Sequence, residues 1–294
     1  MIIDTHAHYN LEPLLSDWKT HWQKAQDFSV LQSIVVGTTV EESQKALEIA
    51  KGEQGLYASF GIHPSNFSVS NGLSLDDLDA TYLHLQLSCK RELEAAGESE
   101  KDFLQSPAYS SKLIAIGEIG LDYYRLSADD QESRKRQKQY FSLQLQLAFF
   151  YSLPVIIHVR DITDEAYRDI YEIISKELPV DYPVLLHCIS GPQEYLKKML
   201  ERGAYIGVGG NITYKNSQNM RDLVKNTPAD KILLETDAPY LPPFPHRGKP
   251  CEPWMISLTA DFMAQEFHIT REQVISNTYR FFAHLPRIDY NTAT

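Results

Sequence analysis

The sequence predicts an α/β fold, a closed barrel of eight parallel strands. Three observations carry that expectation: a length of 294 residues, eight short apolar runs alternating with amphipathic segments, and histidines gathered at the ends of those runs. The length is about twice the roughly 150 residues of an ordinary domain, so two such domains or one large barrel both fit. Apolar residues make up 43% and charged residues 23%, a globular balance with ample core material and no signature of disorder.

The first run, Met1 to His8, reads as a strand, and Ser33 to Gly37 and Leu56 to Ile62 follow as the second and third. Helical spacing over Glu41 to Lys51 separates the latter two. The longest connection, Pro64 to Lys112, holds a helical piece around Leu75 to Ala95 and a charged, small-residue segment from Gly97 to Gln105. It reads as an excursion on the barrel surface. Leu113 to Gly117 is the fourth strand, Gln131 to Tyr151 a helix, and Pro154 to His158 the fifth strand. The uncharged stretch from Gln139 to Val159 is long enough to span a bilayer. It contains Ser142, Gln144, Gln146, Pro154 and His158, however, and changes midway from helical to extended spacing, so it reads as a helix followed by a buried strand. Helix candidates Asp164 to Leu178, Pro192 to Arg202 and Ser217 to Asn226 alternate with strands Pro183 to His187, Ala204 to Val208 and Lys231 to Glu235. The proline-rich stretch Pro239 to Pro253 is a loop over the barrel mouth, and helices Pro253 to Phe267 and Glu272 to Phe282 close the structure. Strands alternating with helices imply parallel pairing through right-handed crossovers. No glycine-rich dinucleotide turn follows an early strand, which disfavours an open doubly wound sheet. The expectation is one (β/α)8 TIM-barrel domain over residues 1–294, with a long insertion between the third and fourth strands.

With 28 basic and 39 acidic side chains, the formal net charge is −11. That argues against a protein that coats nucleic acid, yet leaves room for a nucleic-acid enzyme whose bound cations and local basic rim meet the phosphates. Cys89, Cys188 and Cys251 lie far apart, an odd and low count that suits a reducing cytosol. The N-terminus shows no basic region followed by an apolar core. The chain is expected to be cytoplasmic, without membrane contact and without an obligate protein partner.

Residues two apart in a strand point to the same side, so Asp4, His6 and His8 share a face of the first strand. Two imidazoles at a strand end make a pincer for a divalent cation, although an isolated pair is equally well explained by packing. This pair is not isolated. Five of the ten histidines, His6, His8, His63, His158 and His187, fall at the carboxyl ends of proposed strands, where a barrel gathers its site. Glu118 follows Ile114-Ala115-Ile116-Gly117, and Asp237 follows Ile232-Leu233-Leu234-Glu235-Thr236. A carboxylate directly after a buried strand is costly unless it is paired or binds a cation. A carboxylate bridging two cations accounts for the pair better than two loop caps do. Two cations roughly 3.5–4 Å apart activate water and clamp the attacked and leaving oxygens, so metal-assisted hydrolysis is expected. The expected ligands are His6, His8, Glu118, His158, His187 and Asp237, with Asp237 and Glu118 catalytic and Asp237 also the base on water. Glu235 is taken as a supporting residue. His63 is assigned to substrate oxygens, since six other groups suffice for two cations. Histidine-rich ligation suits zinc, manganese, cobalt or nickel, and the carboxylates also admit magnesium.

Arg160, Arg125 and Arg247 are placed near the mouth as substrate contacts, since arginine suits phosphate. A salt bridge from Arg160 to Asp161 is the plain alternative. The run Arg134-Lys135-Arg136-Gln137-Lys138 reads as a solvated helix face, and Tyr123 and Tyr124 as rim residues that either pack or stack on a base.

These residues resemble the TatD family of metal-dependent deoxyribonucleases, within the amidohydrolase-like TIM barrels. The matching motifs, in the family's order, are Asp4-Thr5-His6-Ala7-His8, Gly61-Ile62-His63-Pro64, Gly117-Glu118-Ile119-Gly120-Leu121-Asp122, Pro154 to Asp161, Leu186-His187-Cys188 and Glu235 to Leu241. The resemblance implies one cation on His6, His8 and Asp237, a second on His158 and His187, and Glu118 between them. It also implies cleavage of DNA phosphodiesters from an end of single strands. Two departures stand out. Where the family loop usually reads His-Arg-Gly-Lys-Arg-Asn-Glu-Pro, this chain has Pro250 and Cys251, and Ile189 replaces a common phenylalanine after His187-Cys188. The alternatives are a two-metal hydrolase of a small cyclic amide, lactone or ester on the same barrel, and a non-catalytic scaffold, which the full ligand set disfavours.

Overall fold

Strands of a closed parallel barrel, covered by helices outside and by one another's side chains inside, are buried along their length and read as continuous apolar runs. The computed structural model, which describes residues 1–95 and 111–288, has eight such strands. They are β1 (Ile2–Ala7), β2 (Val30–Val36), β3 (Leu56–Phe60), β4 (Leu113–Asp122), β5 (Val155–Arg160), β6 (Val184–Leu186), β7 (Tyr205–Val208) and β8 (Ile232–Leu234). Each pairs in parallel with the next, in chain order. The seam between the last strand and the first is closed just beyond β8. Ala7 and Ala238 form a parallel bridge, His8 N–H donates to Ala238 O at 2.7 Å and Asp237 N–H donates to His6 O at 2.8 Å.

The crossovers are α1 (Trp18–Asp27), α2 (Val40–Gly52), α3 (Leu75–Ala95), α4 (Gln131–Phe150), α5 (Glu165–Glu177), α6 (Gln193–Glu201) and α7 (Gln218–Lys225), followed by α8 (Ile256–Phe267) and α9 (Arg271–Phe281). Side-chain caps start several of them. Thr39 accepts from Glu42 N–H at 3.1 Å, Asp130 from Ser133 N–H at 3.0 Å and Thr270 from Gln273 N–H at 3.3 Å. The apolar spacing does not announce α1, because that helix buries only Trp22 and Ala25. Strand β4 runs five residues past the expected Gly117, to Asp122, and β5 runs on to Arg160. The reason is that main-chain pairing continues through Leu121 with Val159 and Asp122 with Arg160, while Gln137 of α4 binds the Asp122 backbone, so hydrogen bonds carry both strands beyond their apolar runs. Helix α3 occupies the connection between β3 and β4, packed on α4 through a 2.9 Å hydrogen bond from Tyr82 Oη to Leu143 O. The segment from Gly97 to Gln105 lies outside the described residues. The uncharged stretch divides into the end of α4 and the strand β5, and no helix among the described residues is long and apolar enough to cross a membrane.

Inside the barrel, Ile3, Ile34, Ile114, Ile156, Leu185, Tyr205 and Leu233 form a buried layer, plugged at the base by Ile275, Tyr279, Phe281 and Phe282 of α9 and its end. Burying each such side chain stabilises the fold by roughly 1.5–3 kcal/mol. The two-residue period of a strand then fixes what stands above that layer. His158 lies one repeat beyond Ile156, His187 beyond Leu185, and Glu235 and Asp237 beyond Leu233. These residues are thereby delivered to the carboxyl ends of their strands, whereas His6 and His8 stand in the opposite alternation to Ile3, past a register shift between Asp4 and Ala7.

Candidate active site

His6 and His8 are both buried at the end of β1, with their Nε2 atoms 3.2 Å apart. His8 Nδ1 lies 3.0 Å from Val36 O, and a carbonyl can only accept, so Nδ1 carries the proton and Nε2 keeps its lone pair. Beneath them the Asp4 carboxylate accepts from His6 N–H at 3.2 Å, Thr236 N–H at 3.0 Å and Thr236 Oγ1 at 2.7 Å. It thereby ties β1 to the chain that follows β8. Burial raises the Asp4 pKa to about 7 against the pull of these bonds.

Glu118 is the hub of the site. Its backbone N–H donates to Gly37 O at 3.0 Å, and β3 passes so close that a Cβ on Gly61 would stand 2.5 Å from Gly117 C and 2.7 Å from Glu118 N. Only glycine fits there. The Glu118 carboxylate lies 3.5 Å from His6 Nε2, 2.8 Å from His158 Nδ1, 3.7 Å from His63 Nε2 and 3.9 Å from His187 Nε2. Burial works against its charge, but His63, His158, His6 and His187 outweigh it and hold the carboxyl well below its ordinary range.

The other donors come from β5, β6 and the turn after β8. Asp237 Oδ1 is 3.4 Å from His8 Nε2 and 3.9 Å from both His6 Nε2 and His187 Nε2. The His6 and His187 rings stack with centroids 3.6 Å apart. Asp237 (φ 59°) and Cys188 (φ 47°) both take left-handed backbone conformations, which turn the chain sharply at these strand ends. Glu235, fully buried, has Oε1 3.0 Å from His187 Nδ1 and accepts from Cys188 N–H at 2.6 Å. Asp122 Oδ2 lies 3.2 Å from His158 Nε2.

Donor atoms bound about 2.1 Å from one tetrahedral cation stand roughly 3.4 Å from one another. The measured separations among His6, His8, Glu118 and Asp237, from 3.2 to 3.9 Å, are of that size, and His158 and His187 face the other carboxylate oxygen of Glu118, Oε1. A set of imidazoles with the buried Glu118 and the partly buried Asp237 is thus chemically fit for divalent cations. His63 differs. Its Nδ1 accepts from Ser65 N–H at 3.2 Å, so the ring proton of the neutral form resides on Nε2, which makes that atom a donor. Burial and the nearby His158 lower its pKa to about 4.

At the rim, Arg160 stacks on the exposed Tyr124 with its guanidinium carbon 3.8 Å from the ring centroid. Asp161 instead caps the approach to α5, accepting from Ile162 N–H at 2.7 Å and Ala166 N–H at 2.9 Å, so it does not take Arg160 as partner. Arg247 packs over Tyr214, and Arg125 is exposed. Tyr123 is buried, with its hydroxyl donating to Asp169 at 2.8 Å, and is a packing residue.

The run 134–138 departs from a solvated face. Arg134 is buried, paired with Glu165 and lying over Tyr123, and Gln137 is buried as well. Gln137 clamps the backbone of Asp122, accepting from its N–H at 2.9 Å and donating to its carbonyl at 3.1 Å. Two helical turns on, Gln144 does the same to Ile62, at 2.8 and 3.2 Å, and so fixes the chain next to His63. Sequence reasoning gave Asp122, Gln137 and Gln144 no role at the site. For Gln144 the available signal was an uncharged polar residue inside the apolar helix-to-strand stretch. Cys251 is buried beside Leu14, Ala238 and Met255, and Ile189 is buried as well, so these two departures from the family pattern fall in packing positions under the mouth, whereas Pro250 is exposed.

The family model described as TatD related DNase matches residues 3–285. The Bacillus subtilis (strain 168) protein named "Uncharacterized metal-dependent hydrolase YabD" is 30% identical over 289 residues, covering 98% of this chain and 100% of that protein. The Escherichia coli (strain K12) "Uncharacterized metal-dependent hydrolase YcfH" is 30% identical over 291 residues, covering 98% of this chain and 96% of that protein. Among solved structures, the TatD homologue YjjV from Escherichia coli K12 superimposes with a TM-score of 0.77 at 30% identity, covering 97% of this chain and 98% of that one. With a family match over nearly its whole length and a TIM barrel whose mouth gathers imidazoles and carboxylates, the chain belongs to the TatD family of metal-dependent hydrolases.

Proposed function

We propose that the chain hydrolyses phosphodiester bonds of DNA, working from an end of single strands, with two divalent cations bound among His6, His8, Glu118, His158, His187 and Asp237. The observation that carries this reading is the convergence of the other five side chains about Glu118, below a rim where Arg160 lies stacked on an exposed tyrosine. Bound there, two divalent cations supply Lewis acidity that lowers the pKa of water and offsets phosphate charge. His6, His8 and Asp237 would hold one, His158 and His187 the other, and Glu118 would serve both. Zinc, manganese, cobalt and nickel suit the imidazoles, and magnesium suits the carboxylates.

Asp237 is the base. Burial opposes its charge, but the His8 contact and the nearby His187 and His6 rings lower its pKa, so it stands ready to take a proton from the attacking water. His63 donates from Nε2 to a phosphate oxygen. Arg125, Arg160 and Arg247 bind flanking phosphates, and Tyr124 stacks on an unpaired base, a contact that a duplex interior does not offer. The three free cysteines suit a reducing compartment, and we place the activity in the cytoplasm without an obligate protein partner.

The test is an activity matrix of five metals (zinc, manganese, magnesium, cobalt and nickel) against single-stranded DNA, duplex DNA, RNA, a chromogenic phosphodiester and a simple lactone. Metal-dependent release of mononucleotides, fastest on single-stranded DNA and abolished in Asp237→Asn, is the expected result. Turnover of the lactone with every phosphodiester left intact would overturn the reading.

A further inference from the structure

We infer that Asp122 is the positioning residue of His158, held in register by the buried Gln137 of α4, and that this arrangement presets His158 Nδ1 as the cation-binding atom on the Glu118 side. The inference rests on the two-cation reading above. A neutral imidazole has one N–H and one lone pair, and which nitrogen bears which is decided by the partner on the opposite edge. Asp122 Oδ2 stands 3.2 Å from His158 Nε2, while Nδ1 stands 2.8 Å from Glu118 Oε1. Each carboxylate can only accept, so the ring lies between two acceptors; a cation on the Glu118 side would take Nδ1, and Asp122 would then hold the one remaining proton on Nε2.

Asp122 is itself fixed on three sides. Its Oδ1 accepts from Tyr124 N–H at 3.1 Å, and its own N–H and carbonyl are both engaged by the Gln137 amide, at 2.9 and 3.1 Å. Gln137 is 1% exposed and Asp122 is 9% exposed, so water does not readily replace either contact. The backbone of Asp122 is thereby fixed at the end of β4, and the Tyr124 N–H on Oδ1 keeps Oδ2 turned toward the His158 ring.

A different use of the same side chains is a third cation among His63, Asp122 and His158, whose donor atoms lie within 4.8 Å of one another. The Ser65 N–H on His63 Nδ1 argues against it. That bond takes the lone pair of the neutral ring and leaves a protonated Nε2, which has none to give. His187 is backed in the same manner by Glu235, so the β5 and β6 histidines share one design.

The test is a cobalt titration of the full chain, following the visible absorption of each bound equivalent, together with nitrogen-15 NMR of the histidine side chains. Wild-type protein should take up two equivalents and show a slowly exchanging His158 Nε2 proton. Asp122→Ala should bind its first equivalent within about twofold of wild type, lose roughly 10- to 100-fold in affinity for the second, and lose the slow proton. Asp122→Asn keeps an acceptor oxygen and should restore the second equivalent to within about fivefold, with the proton protected again. Should Asp122→Ala fail to fold, Asp122→Asn decides alone: retention of the second equivalent and the protected proton supports the assignment, and loss of both refutes it. Equal binding by Asp122→Ala and wild type, or an Asn variant as weak as the Ala variant, overturns it. Three equivalents in wild type against two in both variants would make Asp122 a ligand instead. A single equivalent in wild type removes the two-cation reading, and this assignment with it.

Discussion

The two halves of the donor cluster are held by different means. His6, His8 and Asp237 lie where the barrel closes on itself, and main-chain groups fix them: Val36 O faces His8 Nδ1, and Asp237 N–H donates to His6 O. His158 and His187 project from β5 and β6 and are backed by side-chain carboxylates, Asp122 and Glu235. The difference teaches that the seam half is inseparable from barrel closure. The strand half can be altered one side chain at a time. Glu118 touches both, and the stacked rings of His6 and His187 press them together.

The sharpest way to break the comparison is to remove what the halves share. Glu118→Ala should lower hydrolysis by roughly 10³-fold or more and reduce cation content in both halves, measured by turnover of a chromogenic phosphodiester and by elemental analysis. Retention of a full cation complement would show that Glu118 is not the bridge.

The seam should reveal itself through stability. Asp4→Ala leaves the N–H groups of His6 and Thr236 buried without their acceptor, and should cost about 2–4 kcal/mol in urea unfolding. A loss under about 0.5 kcal/mol would detach Asp4 from closure of the barrel.

The strand half should answer to pH. Burial opposes charge on His158 and His187, yet Asp122 with Glu118, and Glu235 with Asp237, raise their pKa values to about 9 and about 10. A raised histidine pKa stabilises the cation-free fold at pH below about 6.5, and that contribution fades as pH climbs through 9 to 10. Cation binding must displace those protons, so affinity should rise up to about tenfold per pH unit between pH 7 and 9 for each proton released. Calorimetry in two buffers of different ionisation enthalpy counts the protons.

Glu235→Ala should weaken the His187 cation roughly 10- to 100-fold with the seam half unaffected, as cobalt absorption would report. The smallest effect belongs to the rim, which neither half needs. Arg160→Ala should raise KM for single-stranded DNA about two- to tenfold and leave the melting temperature unchanged, since its stacking on Tyr124 is exposed.

Much of this was legible in the chain. The eight apolar runs announce the strands because a parallel barrel buries both faces of each, and a buried face tolerates few polar residues. The same rule made Glu118, His158 and His187 conspicuous, since each interrupts or ends such a run. It also hid the true ends of β4 and β5, which continue through Asp122 and Arg160 where hydrophobicity no longer marks them. Helix α1 escaped notice because its buried face is little more than Trp22 and Ala25. Gln137 and Gln144 read as ordinary helix residues, because an amide that clamps another strand's backbone leaves no local pattern.

Sequence alone determined the barrel and the residue types at its mouth, because strand periodicity and the cost of burying charge act over a few neighbouring residues. Tertiary structure alone decided which nitrogen each histidine turns toward the cluster, since His8, His63, His158 and His187 set their other nitrogen against Val36 O, Ser65 N–H, Asp122 and Glu235. Two of those four partners come from other strands, and a tautomer is set by a partner in space, at distances that chain order does not encode.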